Sequence, residues 1–337
     1  MGILLSGISA WEYWCYAAHA RCMPRPSARC AREQSHGKPS AKEVHALGEC
    51  FPFLSAPLHL LAPNPRLRWR CKGVMSHVEP SKLGQQGVYR IGEGQYVVSP
   101  AEVFLQLATV LPFPNLLEVG FELCGRYARP IGGYLELGRR DPLASAAGLD
   151  RFLERMAGVP GASTARRAVC FILDGSWSPM ETSSVLYLCL PFRLGGYGLP
   201  APLMNAVVPV PDKDRAHVGK SFYRCDLYWP EARFAIEYDS NLHHTGAGRI
   251  AEDASRRTDL AYLGVEVATL TQGQVRDRRE LDRIALLLAK RLGKRLRMGQ
   301  PLGRTRLPAH LPFGFCPQRG LIRTGVEQWA PCVSSSL

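Results

Sequence analysis

Tyr223-Arg224-Cys225-Asp226-Leu227-Tyr228-Trp229-Pro230-Glu231-Ala232-Arg233-Phe234-Ala235-Ile236-Glu237-Tyr238-Asp239 is the stretch on which the reading of this chain turns. Two runs rich in aromatic and β-branched residues flank a polar break at Pro230 to Arg233, which predicts a β-hairpin. With that break as a four-residue loop, Trp229 faces Phe234, Tyr228 faces Ala235 and Leu227 faces Ile236. The same register sets Asp226 opposite Glu237. Opposed residues share a face, with Cβ atoms roughly 5 Å apart. Asp239, two residues beyond Glu237, belongs to that face as well. Like charges so placed repel, and a divalent cation with oxygen ligands is the natural group to lie between them. We therefore expect Asp226, Glu237 and Asp239 to form a metal site.

Beyond the hairpin, Ser240 to His244 reads as a polar loop. Ile250 to Leu263 reads as a helix carrying Asp253, Arg256 and Arg257, and Val265 to Leu270 as a strand. Carboxylate strand, carboxylate-x-carboxylate strand, histidine, basic helix, strand is the order of a restriction-endonuclease-like core. Asp226, the Glu237-Tyr238-Asp239 triplet, a histidine four or five residues on, Asp253-x-x-Arg256 and Leu263-Gly264-Val265 resemble the very-short-patch-repair-like branch of the PD-(D/E)XK nucleases. In particular the chain resembles bacterial proteins that place this domain behind an AbiEi-like N-terminal region. The close resemblance covers about Ser178 to Leu296 and is looser upstream.

The resemblance implies an α/β fold: a restriction-endonuclease-like mixed sheet flanked by helices, preceded by an α+β N-terminal region. It also implies hydrolysis of DNA phosphodiester bonds with Mg²⁺ or Mn²⁺, in repair, restriction or defence. Asp226 and Glu237 would hold the metal, which neutralises the scissile phosphate and acidifies the attacking water. Asp239 stands where the commonest superfamily pattern has lysine. Members of this branch also lack that lysine and use histidine and acidic groups nearby. His243 and His244 are thus candidates to take the proton, since an imidazole titrates near neutral pH. Glu181 matches a glutamate of the first helix that approaches the metal cluster. It is equally explained as the N3 glutamate of the capping box Ser178-Pro179-Met180-Glu181.

Composition points the same way. With 42 Lys plus Arg against 29 Asp plus Glu the chain carries +13, which favours a polyanionic partner, nucleic acid first and DNA by resemblance. Arg256 and Arg257 are candidates for phosphate contacts. So are Lys290, Arg291, Lys294 and Arg295 at the end of an apolar-faced helix read from Arg279 to Arg295. Positive charge at a helix C-terminus is the plainer explanation of that end. The main alternative to an enzyme is a nucleic-acid-binding, antitoxin-like regulator with a degenerate nuclease domain. The eleven cysteines form no C-x-x-C pair, are odd in number and follow no secretory signal, so reduced thiols in a cytoplasm are expected. No apolar run is long enough to span a membrane.

Outside the hairpin region the expected organisation is a poorly defined segment over 1–56, an α+β region over 57–175, the nuclease-like domain over 176–298 and an irregular tail over 299–337. The AbiEi-like resemblance implies a winged-helix remnant in the first segment, where no helix-turn-helix pattern is legible. Leu4 to Tyr16 reads as a helix, Leu58 to Leu61 and Arg66 to Val74 as strands. Gly87 to Ile91 and Gln95 to Val98 read as a hairpin about Gly92-Glu93-Gly94. Ser99-Pro100-Ala101-Glu102 is a helix start. Further helices are expected over 116–127, 149–157 and 165–173, a loop over 128–140, and a first strand of the nuclease-like sheet over 207–210.

Overall fold

The computed structural model describes residues 2–27, 39–69, 71–78, 87–129, 138–239 and 247–296. The chain is a mixed α/β protein whose mixed sheets are flanked by helices. Six strands come from the first hundred residues: β1 (Ile3–Leu5), β2 (Arg25–Pro26), β3 (Leu58–Ala62), β4 (Val74–Val78), β5 (Val88–Gly92) and β6 (Gln95–Val98). They form one sheet in the order β2-β5-β6-β1-β3-β4. β1 runs parallel to β6 and antiparallel to β3.

Two expectations fail here. The helix read from Leu4 begins only at Gly7, because Ile3–Leu5 is a wholly buried strand in the middle of the sheet. Three consecutive apolar residues carry no period that separates strand from helix. The strand read from Arg66 begins only at Val74, because Asn64 Oδ1 accepts from the backbone N–H groups of Arg66 and Leu67 and winds Pro65–Leu67 into a 3₁₀ turn. The hairpin of β5 and β6 stands where it was read. So does the helix Pro100–Leu107, whose Ser99 cap accepts from the Glu102 N–H. The next three helices, Phe113–Cys124, Ala146–Arg155 and Ala162–Val169, each start three residues before the sequence reading. Where the end of a helix and then a loop were read, β7 (Tyr127–Ala128) pairs with β8 (Gly138–Arg139).

The second large sheet is built from β9 (Leu203–Pro209), β10 (Phe222–Trp229), β11 (Phe234–Asp239) and β12 (Glu266–Thr271), in the order β12-β11-β10-β9. β9 starts earlier than the Val207 expected. β9 to β11 are antiparallel neighbours, whereas β12 is parallel to β11. A parallel neighbour needs a crossover, and the helix Ala247–Tyr262 supplies it. The helix Pro179–Cys189 precedes this sheet and is buried on all sides from Met180 to Leu188. It packs on both the helix Phe113–Cys124 and β10, so one core runs from Ile3 to Ala289. A smaller core lies under the helix Ala247–Tyr262, formed by Val208, Tyr223, Cys225, Ala235, Leu260 and Val265.

The last helix spans Arg278–Arg291, shorter than expected. Gly293, at a φ of 63°, closes it with a Schellman turn in which the Lys294 N–H donates to the Ala289 carbonyl. Among the described residues no helix is long and apolar enough to cross a membrane, and all eight cysteines are free. The tail expected over 299–337 lies outside the described residues.

Candidate active site

The hairpin register is the one read from the sequence for three pairs: Trp229 with Phe234, Tyr228 with Ala235, and Leu227 with Ile236. The ladder then stops. On its other side β10 pairs Cys225 with Ala206 and Leu227 with Met204, passing over Asp226. Opposite the gap, Asn205 takes a φ of 48°. Leu227 and Trp229 pack into the main core, whereas Tyr223 and Cys225, which in a regular strand would share their face, pack into the second. The strand therefore changes face at Asp226, as strands do where an irregularity breaks the pairing. Asp226 and Glu237 are not a ladder pair. Instead Asp226 Oδ2 accepts the backbone N–H of Tyr238 at 2.8 Å.

The irregularity gathers charge. Glu237 Oε1 accepts from Arg256 Nη2 at 2.7 Å. The same nitrogen donates to the Arg224 carbonyl, and the Cys225 thiol also bonds Glu237. Burial pushes the Glu237 carboxyl above its usual range, and the neighbouring Asp226 charge adds to the rise. Burial raises Asp226 too, against the lowering effects of the Tyr238 N–H, Arg256 and Arg139.

Glu181 completes the group from the first turn of Pro179–Cys189. Its N–H is capped by Ser178 Oγ, while its Oε2 accepts from the Trp177 N–H at 2.8 Å and from Asn205 Nδ2 at 2.6 Å. Burial first, and Asp226 second, raise its carboxyl to about 7. Only the Ser178 half of the expected capping box forms: the Glu181 carboxylate reaches past Ser178 to the Trp177 N–H and faces Asp226 as well.

Asn205 is the joint of this arrangement. Its side chain donates to Glu181 and to the Gly175 carbonyl, and its own carbonyl accepts from Arg224 Nη1 at 2.7 Å. Arg224 and Arg139 both lie over the Trp177 ring, at 4.9 and 4.5 Å from its centroid. Asn205, Trp177 and Arg139 were not singled out by sequence. They come from three separate segments, and nothing local marks them.

The remaining expected residues divide. Asp239 ends β11 opposite Thr271 and alternates onto the face of Glu237. Among the described residues no three potential ligands close into a single metal-sized group. His243 and His244 lie outside the described residues. Arg257 is exposed beside Arg256 on the crossover helix. The basic end of the last helix lies elsewhere. Arg291 is ion-paired with Glu266, which pairs with Phe234 at the far end of β11. Three residues of strand, roughly 10 Å, separate that end from Glu237. The last helix also packs through Leu281, Ile284 and Leu288 on the main core, across the sheet from the crossover helix. Lys290, Arg291, Lys294 and Arg295 are therefore not brought to the carboxylates.

Asp226 and Glu237 offer hard oxygen donors, and the Asp226 charge raises the proton affinity of Glu237. Each has one oxygen engaged by a protein N–H and a second beside it. That donor set fits Mg²⁺, which keeps several waters and takes only one or two carboxylates.

No family model matches the chain, and no solved structure matches it. It is similar to two proteins of Mycobacterium tuberculosis, each described as uncharacterized, one from strain CDC 1551 and one from strain H37Rv. Each is 24% identical over 237 residues, which covers 70% of this chain and 74% of the relative.

Proposed function

We propose that the chain is a metal-dependent endonuclease of the PD-(D/E)XK kind, hydrolysing DNA phosphodiester bonds at the Glu181–Asp226–Glu237 site. One observation carries this reading. Buried Glu181 and half-buried Glu237 both lie near enough to half-buried Asp226 for its charge to raise their proton affinity, and only Glu237 has a guanidinium in ion-pair contact among the described residues. A fold gains nothing from repelling buried carboxylates unless a cation or a proton is to join them. The succession of carboxylate strand, carboxylate strand, basic crossover helix and parallel strand supports it.

In this reading Asp226 and Glu237 hold Mg²⁺ or Mn²⁺. The metal supplies charge neutralisation at the scissile phosphate and a more acidic water. Arg256 orients Glu237. Asn205 orients Glu181, whose carboxyl near neutrality can hold or release a proton beside the metal. Asp239, with His243 or His244, is left to receive the proton of the attacking water.

Incubation with single- and double-stranded DNA, and with RNA, in Mg²⁺ or Mn²⁺ tests the proposal. We expect cleavage of DNA that EDTA stops and that Glu237→Gln lowers at least a hundredfold, the scale of losing one electrostatic contact to the transition state. A wild-type protein inert on all three would sink it. One feature favours a second reading, the nucleic-acid-binding regulator with a degenerate site. Arg256 already occupies one oxygen of Glu237, as a structural ion pair would.

A further inference from the structure

Sequence places the phosphate contacts of this site on Arg256, but the geometry spends that side chain elsewhere. Arg256 Nη2 is shared between Glu237 Oε1 and the Arg224 carbonyl. Arg139 is in the opposite condition. It is exposed, its backbone pairs with Tyr127 in the β7–β8 ladder, and among the described residues its side chain makes no hydrogen bond and no ion pair. What holds it is the Trp177 ring, 4.5 Å below its guanidinium carbon. Arg224 lies over the same ring, with one Nη1 contact to Asn205.

A guanidinium stacked on an aromatic face keeps its in-plane N–H fork free for a bidentate acceptor. An arginine kept only to neutralise the acidic group would sit on a carboxylate oxygen. Arg139 instead lies near enough to lower the Asp226 carboxyl without pairing with it. Its free donors are thus positioned beside the carboxylates but not consumed by them. The next residue after Trp177 caps the helix Pro179–Cys189, whose positive end favours an anion at the same place.

We infer that Arg139 and Arg224, carried on Trp177, form the anchor for a backbone phosphate of DNA next to the Glu181–Asp226–Glu237 group. The inference rests on the proposal that the site acts on DNA. Arg139 is the binding residue, Arg224 its charged neighbour, and Trp177 the positioning residue.

The test is fluorescence anisotropy of a labelled DNA oligonucleotide with the full chain in EDTA, titrated over a range of salt. Arg139→Gln should weaken binding about tenfold and reduce the slope of log affinity against log salt by about one. Arg139→Lys should restore the slope but not the full affinity, because charge returns without the stacked fork. Trp177→Leu should weaken binding with Arg139 still present. Arg151→Gln, an exposed charge on the helix Ala146–Arg155, should leave affinity within about twofold.

Wild-type affinity and slope in Arg139→Gln would overturn the inference, as would a wild-type protein that does not bind DNA at all. Cleavage is read separately with Mg²⁺. Binding that depends on Arg139 without any cleavage would leave the anchor standing and sink the nuclease. Cleavage with binding indifferent to Arg139 would do the reverse.

Discussion

Two clusters of charge, one buried and one half-buried, lie in this molecule, and they are built on different terms. In the first, Arg129 joins Glu118 at 3.1 Å and Glu122 at 3.3 Å, with side chains at most 7% exposed. Arg140 donates to the backbone carbonyls of Glu122, Gly125 and Asp141. One guanidinium thus meets two carboxylates while a second holds the backbone around them, and the cluster ties the helix Phe113–Cys124 to its β7–β8 flank. In the second, Glu181, Asp226 and Glu237 crowd together, with Arg256 alone in ion-pair contact among the described residues. The first cluster is closed by the chain itself. In the second, two of the three carboxylates have no ion-pair partner among the described residues, at a point where the strand ladder is broken. That contrast separates a structural charge cluster from one that awaits something.

The largest expected effect would break the contrast if it failed. Arg129→Met leaves two buried carboxylates without their cation and should cost about 3–5 kcal/mol in urea unfolding. Glu237→Gln, in metal-free buffer, relieves repulsion with Asp226 and should stay within about 1 kcal/mol of wild type, with a stabilising sign. Equal losses in the two variants would make both clusters structural.

Next in size is a pH effect at Glu181. Its folded pKa of about 7 lies above the usual 4.5, so between those values the folded chain holds a proton that the unfolded chain has released. Stability therefore falls as pH rises through this window and is level above it. The whole drop is on the order of 3 kcal/mol. Denaturation of wild type and Glu181→Gln across that window should show the slope in the first and its loss in the second. Parallel curves would contradict the buried, Asp226-facing placement of Glu181.

A smaller effect sharpens the role of the broken ladder. Asn205→Ala loses two side-chain hydrogen bonds and keeps a positive φ that alanine resists, for a cost of about 2 kcal/mol. Asn205→Gly loses the same bonds without the backbone strain and should cost less by urea unfolding. The reverse order would show that the φ of 48° is not what the site demands. Smallest of all, Lys294→Gln on the exposed end of the last helix should change stability by less than about 0.5 kcal/mol and leave cleavage unaltered, since that end lies by Glu266, at the Phe234 end of β11.

How far these features were legible depends on how local their causes are. The hairpin register was readable because the alternation of Leu227, Trp229, Phe234 and Ile236 is a property of neighbouring residues. Its interruption was not, because it is imposed from β9 by Asn205, some twenty residues earlier. Glu181 was readable as a cap from its four-residue motif, but its second role depends on how Pro179–Cys189 is buried against β10. Arg139 and Trp177 gave no signal, since two segments distant in sequence must meet before either has meaning. The basic end of the last helix was legible as charge, but its position was not. The direction of β12 sets that end at the Phe234 edge of the sheet. Ile3–Leu5 was misread because a central strand covered on both sides has no polar face to reveal its period.

The central claim is that the second cluster is short of a cation, and thermal unfolding with and without divalent metal tests it most directly. Millimolar Mn²⁺ or Mg²⁺ should raise the melting temperature of the wild-type protein by several degrees, as expected for a ligand that binds only the folded state. Glu237→Gln and Asp226→Asn should each abolish most of that rise. Arg151→Gln should keep it. A wild-type melting temperature indifferent to both metals, or an equal rise in Glu237→Gln, would contradict the account.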